Sequence, residues 1–267
     1  MEFRFLALGD VVGKPGRRAV GTLLPVLVRE ERIDFVVANG ENAAWNGNGI
    51  GAGDARELRE AGVGCITLGD HVWRQADIVP VLEEARGIVR PANLPPEAKG
   101  KGWLEFDLPS GETLAVVNLL GQVFMDPADC PFHAADRALA ALSPRARFIV
   151  VDIHAEATSE KNAIARYLDG RVSAVFGTHT HVQTADERVL PGGTAYITDL
   201  GMTGPHDSIL GRKVEPVVKK MRTSMHARFE VAERDLRLQG ALVALEGGTG
   251  RAISIRRVEK RLESSHI

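Results

Sequence analysis

Three short apolar runs near the N-terminus each end in a polar cluster and lead into a helix-like segment, a rhythm that few architectures satisfy. Phe3 to Leu8 runs into Gly9-Asp10, Phe35 to Ala38 into Asn39-Gly40-Glu41-Asn42, and Cys65 to Leu68 into Gly69-Asp70-His71. Runs so dominated by apolar residues read as strands covered on both faces, and alternation with helices implies parallel pairing. The polar clusters then fall at the carboxyl ends of strands, where open α/β sheets place their ligands.

The rhythm returns with Phe148 to Ile153 before His154, and with Val172 to Phe176 before Gly177-Thr178-His179-Thr180-His181. Between these blocks, Trp103 to Leu108 and Thr113 to Leu119 are joined through Pro109-Ser110-Gly111-Glu112, a hairpin signal. Phe229 to Val231, Leu236 to Leu245 and Ala252 to Ile255 read as further antiparallel strands. No linker-like stretch, charge block or solenoid repeat divides the chain, so residues 1–267 are expected to form one domain. Mixed parallel and hairpin-linked strands between helices predict an α/β fold of four layers, an α/β/β/α sandwich. At 44% hydrophobic residues the chain has ample material for such a core.

The formal charge of −2 offers no basic excess for duplex nucleic acid, while a small phosphate ester stays open. The N-terminal stretch lacks the pattern of a signal peptide, and no apolar stretch approaches the roughly 18 residues of a membrane span. No membrane partner and a cytoplasmic location are therefore expected. The two cysteines, Cys65 and Cys130, show no paired-thiol spacing and read as small buried hydrophobes.

Asp, Glu, Asn and His gathered at successive strand ends are the donors preferred by Mn, Fe, Zn and similar ions. Asp10 alone reads more simply as a turn residue or helix cap. The Gly177 to His181 segment is more specific, because histidines two apart in an extended segment point to the same side and so could serve two neighbouring ions. Lys14, Arg17 and Arg18 read as a solvated helix face, and Trp45-Asn46-Gly47-Asn48-Gly49 as an exposed turn or the rim of a substrate mouth. His133 and His206 are expected in loops near strand ends, His206 within possible reach of substrate. His226 and His266 are expected to be ordinary surface histidines.

The segments around Asp10, Asn39 to Ala44, Thr67 to Trp73, Asp152 to Lys161 and Gly177 to Asp186 closely resemble the YmdB-like branch of the calcineurin-like metallophosphoesterases. Asn118-Leu119-Leu120-Gly121 and Thr198 to Pro205 resemble it too, so the likeness spans nearly the whole chain. The resemblance implies a homo-oligomer and two metal ions per chain, divalent or of mixed valence, with Fe or Mn favoured over Zn or Co. It implies that Asp10, Asn42 and His181 hold one ion, that Asp70, His154 and His179 hold the other, and that Glu41 bridges them. Related superfamily members usually carry a histidine where this chain has Val12, and the resemblance implies that Asn42 would supply the missing contact. The branch carries Asn where this chain has Asp70. Three carboxylates against two divalent ions still leave the site cationic, but less electrophilic than in an Asn-bearing relative.

The resemblance further implies hydrolysis of 2′,3′- or 3′,5′-cyclic nucleotides, with a metal-bridging hydroxide attacking phosphorus in line. His71 is the candidate to protonate the leaving oxygen or steady the transition state. The chain has neither a Gly-x-Ser-x-Gly elbow nor a phosphate-loop motif. Two alternatives stay open: a slow or inactive regulatory protein that binds cyclic nucleotide and metal, and a dinuclear amide or ester hydrolase.

Overall fold

The computed structural model describes residues 2–263. The first third contains β1 (Glu2–Leu8), β2 (Asp10–Val11), α1 (Gly13–Glu31), β3 (Phe35–Asn39), α2 (Ala52–Glu60), β4 (Cys65–Thr67), α3 (Ile78–Glu84) and β5 (Ile88–Val89). The middle supplies β6 (Trp103–Asp107), β7 (Thr113–Leu120), α4 (Pro131–Ala141), β8 (Ala146–His154), α5 (Thr158–Leu168), β9 (Ala174–Thr178), β10 (Arg188–Val189) and β11 (Ala195–Ile197). The last third adds β12 (Met202–Pro205), α6 (Val214–Thr223), β13 (Leu236–Glu246) and β14 (Ala252–Arg261).

Two sheets result. One has eight strands in the order β2-β12-β13-β1-β3-β4-β5, with β14 also paired to β13. Its β1, β3, β4 and β5 are parallel, as continuous apolar runs require, whereas β13 is antiparallel to both β1 and β14. The other sheet runs β10-β11-β9-β8-β7-β6, parallel at its centre and antiparallel at both edges. The anticipated hairpin is the β6–β7 pair.

The strand period of two assigns the core. Phe3, Phe5 and Ala7 of β1 face the second sheet, where they share a cluster with Val116, Phe148, Val150 and Phe176. The Phe3 and Phe148 rings stack across this interface with centroids 4.5 Å apart. Leu6 and Leu8 point the other way, onto Val20, Leu24 and Leu27 of α1, whose four- and three-residue spacing makes one apolar helix stripe. On the far side, Val151 and Ile153 of β8 meet Ala134 and Ala138 of α4 and Ile164 and Leu168 of α5. The layers are therefore helix, sheet, sheet, helix. Each fully buried side chain such as Phe5 contributes about 1.5–3 kcal/mol.

One expected strand does not form. In the segment from Phe229 to Val231, only Val231 makes an isolated bridge, to Arg212. The flanking backbone bonds go to a neighbouring loop instead, Lys213 N to Glu230 O and Ala232 N to Gly211 O. Among the described residues, no helix is long and apolar enough to cross a membrane.

Candidate metal centre

Strand ends of both sheets converge on one place. From the first sheet come Asp10 in β2, Glu41 and Asn42 just after β3, and Asp70 and His71 shortly after β4. From the second come His154 at the last position of β8, and His179 and His181 just past β9. Glu41 sits among them: its Oε1 is 3.0 Å from Asn42 Nδ2, 3.2 Å from His154 Nε2 and 3.3 Å from His71 Nδ1. His154 Nε2 is 3.2 Å from Asp70 Oδ1 and 3.1 Å from His179 Nδ1. One donor atom each from Glu41, Asp70, His154 and His179 lies within 4.8 Å of the others, a spacing that one cation can span.

Asp10, Asn42 and His181 adjoin this group. His181 Nε2 is 3.3 Å from Asn42 Nδ2 and 3.7 Å from Asp10 Oδ1. Asp10 Oδ2 accepts the backbone N–H of His179 at 3.0 Å, but Oδ1 is buried without a hydrogen-bond partner. A buried orphan oxygen facing imidazoles and carboxylates is what a cation would satisfy. The residues present thus fit a metal by donor chemistry and by that unmet acceptor.

The two histidines past β9 do not reach the site through strand alternation. The strand stops at Thr178, and His179 and His181 have φ of 98° and 63°. Left-handed backbone at two non-glycine residues costs on the order of 1–3 kcal/mol each and persists only where the surroundings enforce it. Gly69 meets a different constraint: a Cβ there would collide with Glu41 Oε2 and the His154 ring, so only glycine lets β4 end this close to the site.

The crowding of like and unlike groups shifts their protonation. Burial pushes the Asp10 carboxyl up to about 7, against the opposing pull of His154. Burial also works against charged Glu41, but the charge of His154 and the hydrogen bonds from His154 and His71 outweigh it and hold Glu41 well below the usual range. His154 is raised well above its ordinary value because Glu41, Asp70 and Asp10 outweigh its burial. Burial lowers His179 and His181, which favours the neutral imidazole a metal needs. His71 is raised: burial opposes its charge, but Glu41 and Asp70 prevail.

Several functional neighbours escaped the sequence reading. Thr178 Oγ1 donates to Asp152 Oδ1 at 2.7 Å and lies 2.9 Å from His154 Nδ1, and Asp152 also accepts from Thr67 Oγ1 and Asn39 Nδ2. His179 Nε2 is 3.3 Å from Glu156 Oε2, and His181 Nδ1 is 3.2 Å from the Leu210 carbonyl. Asp152 had a visible signal, a lone carboxylate inside the apolar run of β8, two residues before His154 and so on the same face.

Other expectations need correction. Arg17 is not on a solvated face. It is buried, bonds the Ala43 carbonyl and pairs with Asp54 at 3.0 Å and Glu57 at 2.6 Å, anchoring the chain just beyond Asn42. His133 lies in α4 rather than a loop, because Pro131 starts a helix there. His206 follows β12, as a loop residue, and its Nε2 contacts the Met202 carbonyl at 3.1 Å. Trp45 is exposed, and Arg212 ties down the loop after it through the carbonyls of Asn46 and Gly47. Cys65 is buried and Cys130 half-buried. His226 is exposed, and His266 lies outside the described residues.

With fold and site in view, a family model described as YmdB-like protein matches residues 6–258. The chain belongs to the YmdB-like family. It is 46% identical, over 96% of both chains, to a 2′,3′-cyclic-nucleotide 2′-phosphodiesterase of Bacillus subtilis strain 168. A crystal structure of a hypothetical protein from Thermus thermophilus superposes with a TM-score of 0.92 at 44% identity, covering 98% of this chain and all of that one. A structure of a novel phosphatase of Mycoplasma pneumoniae gives 0.91 at 34% identity, covering 98% and 94%. The four-layer architecture read from the strand rhythm is thus shared with that phosphatase structure.

Proposed function

We propose that this chain is a metal-dependent phosphodiesterase that opens 2′,3′-cyclic nucleotides, with 3′,5′-cyclic monophosphates as a further substrate class. The observation that carries the reading is the ring of donors around Glu41, closed by strand ends of both sheets and containing an unmet buried Asp10 oxygen. The Bacillus relative's activity agrees with it. We take Asp10, Asn42 and His181 to hold one ion, Asp70, His154 and His179 the other, and Glu41 to touch both. Fe or Mn suits this set, as do Zn and Co. The reading treats residues 1–267 as one domain working as a cytoplasmic homo-oligomer.

Opening the ring adds water across one P–O bond: oxygen goes to phosphorus and a proton to the departing ribose oxygen. When bound, the ions would polarise the phosphoryl oxygens and acidify water. The chain supplies the rest. His71, whose imidazole Glu41 and Asp70 raise against the pull of burial and which is partly open to solvent, would give the leaving oxygen its proton. Thr178, Glu156 and the Leu210 carbonyl fix the imidazole rings of His154, His179 and His181.

The test couples metal analysis of the purified protein to a panel of cyclic nucleotides, linear diesters, monoesters and carboxylic esters. Glu41→Gln should leave the fold intact, lower the content of both ions and reduce turnover at least about 100-fold. Wild-type turnover with undiminished metal in that variant would overturn the assignment. One observation favours a second reading. The Asp70 carboxyl, held below the usual range mainly by its bond to His154 despite burial, makes the site less electrophilic, which suits a slow cyclic-nucleotide sensor. Tight binding without hydrolysis by metal-loaded protein would select it.

A further inference from the structure

One charged pair near the site has no part in this chemistry. Lys161 of α5 and Asp199, two residues past β11, are both fully buried, with Lys161 Nζ 2.7 Å from Asp199 Oδ2. Apolar replacements of equal volume often stabilise a fold as well as a buried ion pair does, so such a pair is better explained by what it specifies.

The contacts of Asp199 show what that is. Its Oδ2 also accepts the backbone N–H of Thr180 at 3.1 Å and the Thr180 hydroxyl at 2.8 Å, while Oδ1 accepts Gly201 N–H at 2.9 Å. Thr180 is the residue between His179 and His181, the two histidines in left-handed backbone. The strand end is shaped around the lysine as well. A Cβ at Gly177 would collide with Lys161 Cδ and the Thr198 carbonyl, so the glycine that opens the His-Thr-His segment is the space through which the lysine stem passes.

We propose that Lys161 and Asp199 form a positioning pair that clamps Thr180 and so aims the His179 and His181 rings at the cation site. This rests on reading those histidines as ligands. Lys161 neutralises the buried carboxylate, the carboxylate grips the middle of the segment at two donors, and the φ angles on either side follow. Neither residue belongs to the proposed ligand set.

The test uses Lys161→Met, which keeps the stem length and removes the charge, and the pair Thr180→Val and Thr180→Ser, which differ in the hydroxyl. Mn²⁺ affinity is measured by calorimetry well below the melting temperature, and histidine ring NMR signals are recorded on ion-free protein. Lys161→Met and Thr180→Val should weaken Mn²⁺ binding about 10–100-fold, and Thr180→Ser should stay within about threefold of wild type, as the retained hydroxyl predicts. Their lost turnover should return at excess Mn²⁺, and the His179 and His181 signals should move more than that of His71. A purely structural role would lower the melting temperature and leave Mn²⁺ affinity unchanged, which would overturn the proposal. If Lys161→Met fails to fold, the Thr180 pair decides by the same criterion. Wild-type protein that takes up no Mn²⁺, Fe²⁺, Zn²⁺ or Co²⁺ would instead overturn the function proposed above, and this role with it.

Discussion

The hydroxyl of Thr178 stands 2.9 Å from Nδ1 of His154. Because that hydroxyl donates its own hydrogen to Asp152, it accepts from His154, which places a proton on Nδ1 and turns Nε2 toward Glu41 and Asp70. Thr178→Val removes the acceptor and frees the ring to take the other tautomer. Metal affinity should fall about 10–100-fold with little change in the melting temperature of the ion-free protein. Calorimetric titration of wild type and variant with Mn²⁺ measures this, and equal affinities would show that the tautomer is set elsewhere.

Asp70 is proposed as a ligand of the second ion, with a carboxylate where the resemblance leads one to expect an amide. Asp70→Asn keeps an oxygen donor of similar shape and removes one negative charge. At saturating metal, turnover should rise several-fold and the pH–rate profile move toward acid, since less charge opposes ionisation of water. At limiting metal it should fall, because an amide holds a cation less firmly than a carboxylate. Profiles that coincide at both metal levels would remove Asp70 from the ligand set.

His71 is expected to act on the departing oxygen. In His71→Gln, turnover of a cyclic nucleotide should drop by roughly 10²–10⁴, with metal content unchanged. A diester with a p-nitrophenolate leaving group needs no proton there and should lose far less. Equal losses on the two substrates would assign His71 to binding or structure.

Burial holds the Asp10 carboxyl up to about 7, against 3.8 for an ordinary aspartate. The folded ion-free protein therefore keeps a proton that the unfolded chain gives up, and the resulting stabilisation, complete below about 4, is lost as pH rises toward 7. Relative to Asp10→Asn, chelator-treated wild type should lose on the order of 2–4 kcal/mol across that window. Urea unfolding at a series of pH values reads the difference. Metal-loaded protein should lack the trend, because a cation favours the carboxylate. A flat difference in the ion-free protein would place the Asp10 pKa in the ordinary range.

The strand rhythm made the parallel halves of both sheets legible, since the centres of β1, β3, β4, β8 and β9 are mostly apolar, as coverage on both faces demands. Short pieces such as β2 and β12 carry no such run, and they pair because the long strands bring them together. The Phe229 to Val231 segment looked like a strand for its β-forming residues, but its backbone found partners in a loop. Asp, Glu, Asn and His at strand ends announced the candidate site. The left-handed turns at His179 and His181 did not, because backbone handedness there depends on Asp199 and Asp10, one ahead in the chain and the other far behind. Arg17 misled for a related reason: its partners, Asp54 and Glu57, belong to a different helix.

Phe3 and Phe148 stack between the sheets, and the donors are divided the same way, Asp10 to His71 on one sheet and His154 to His181 on the other. A cation held by both sets works as a rivet, and the apolar layer beneath it as the spacer that sets its grip. Shaving that spacer with Phe148→Leu should let the two halves settle to a new separation, which a titration with Mn²⁺ would register as weaker binding even where the protein stays folded. The reverse also holds: ion at 100 times its dissociation constant should add about 2.7 kcal/mol to stability, resisting any parting of the sheets. On the proposed function, an interior residue such as Phe148 would help to set how firmly the ion is held.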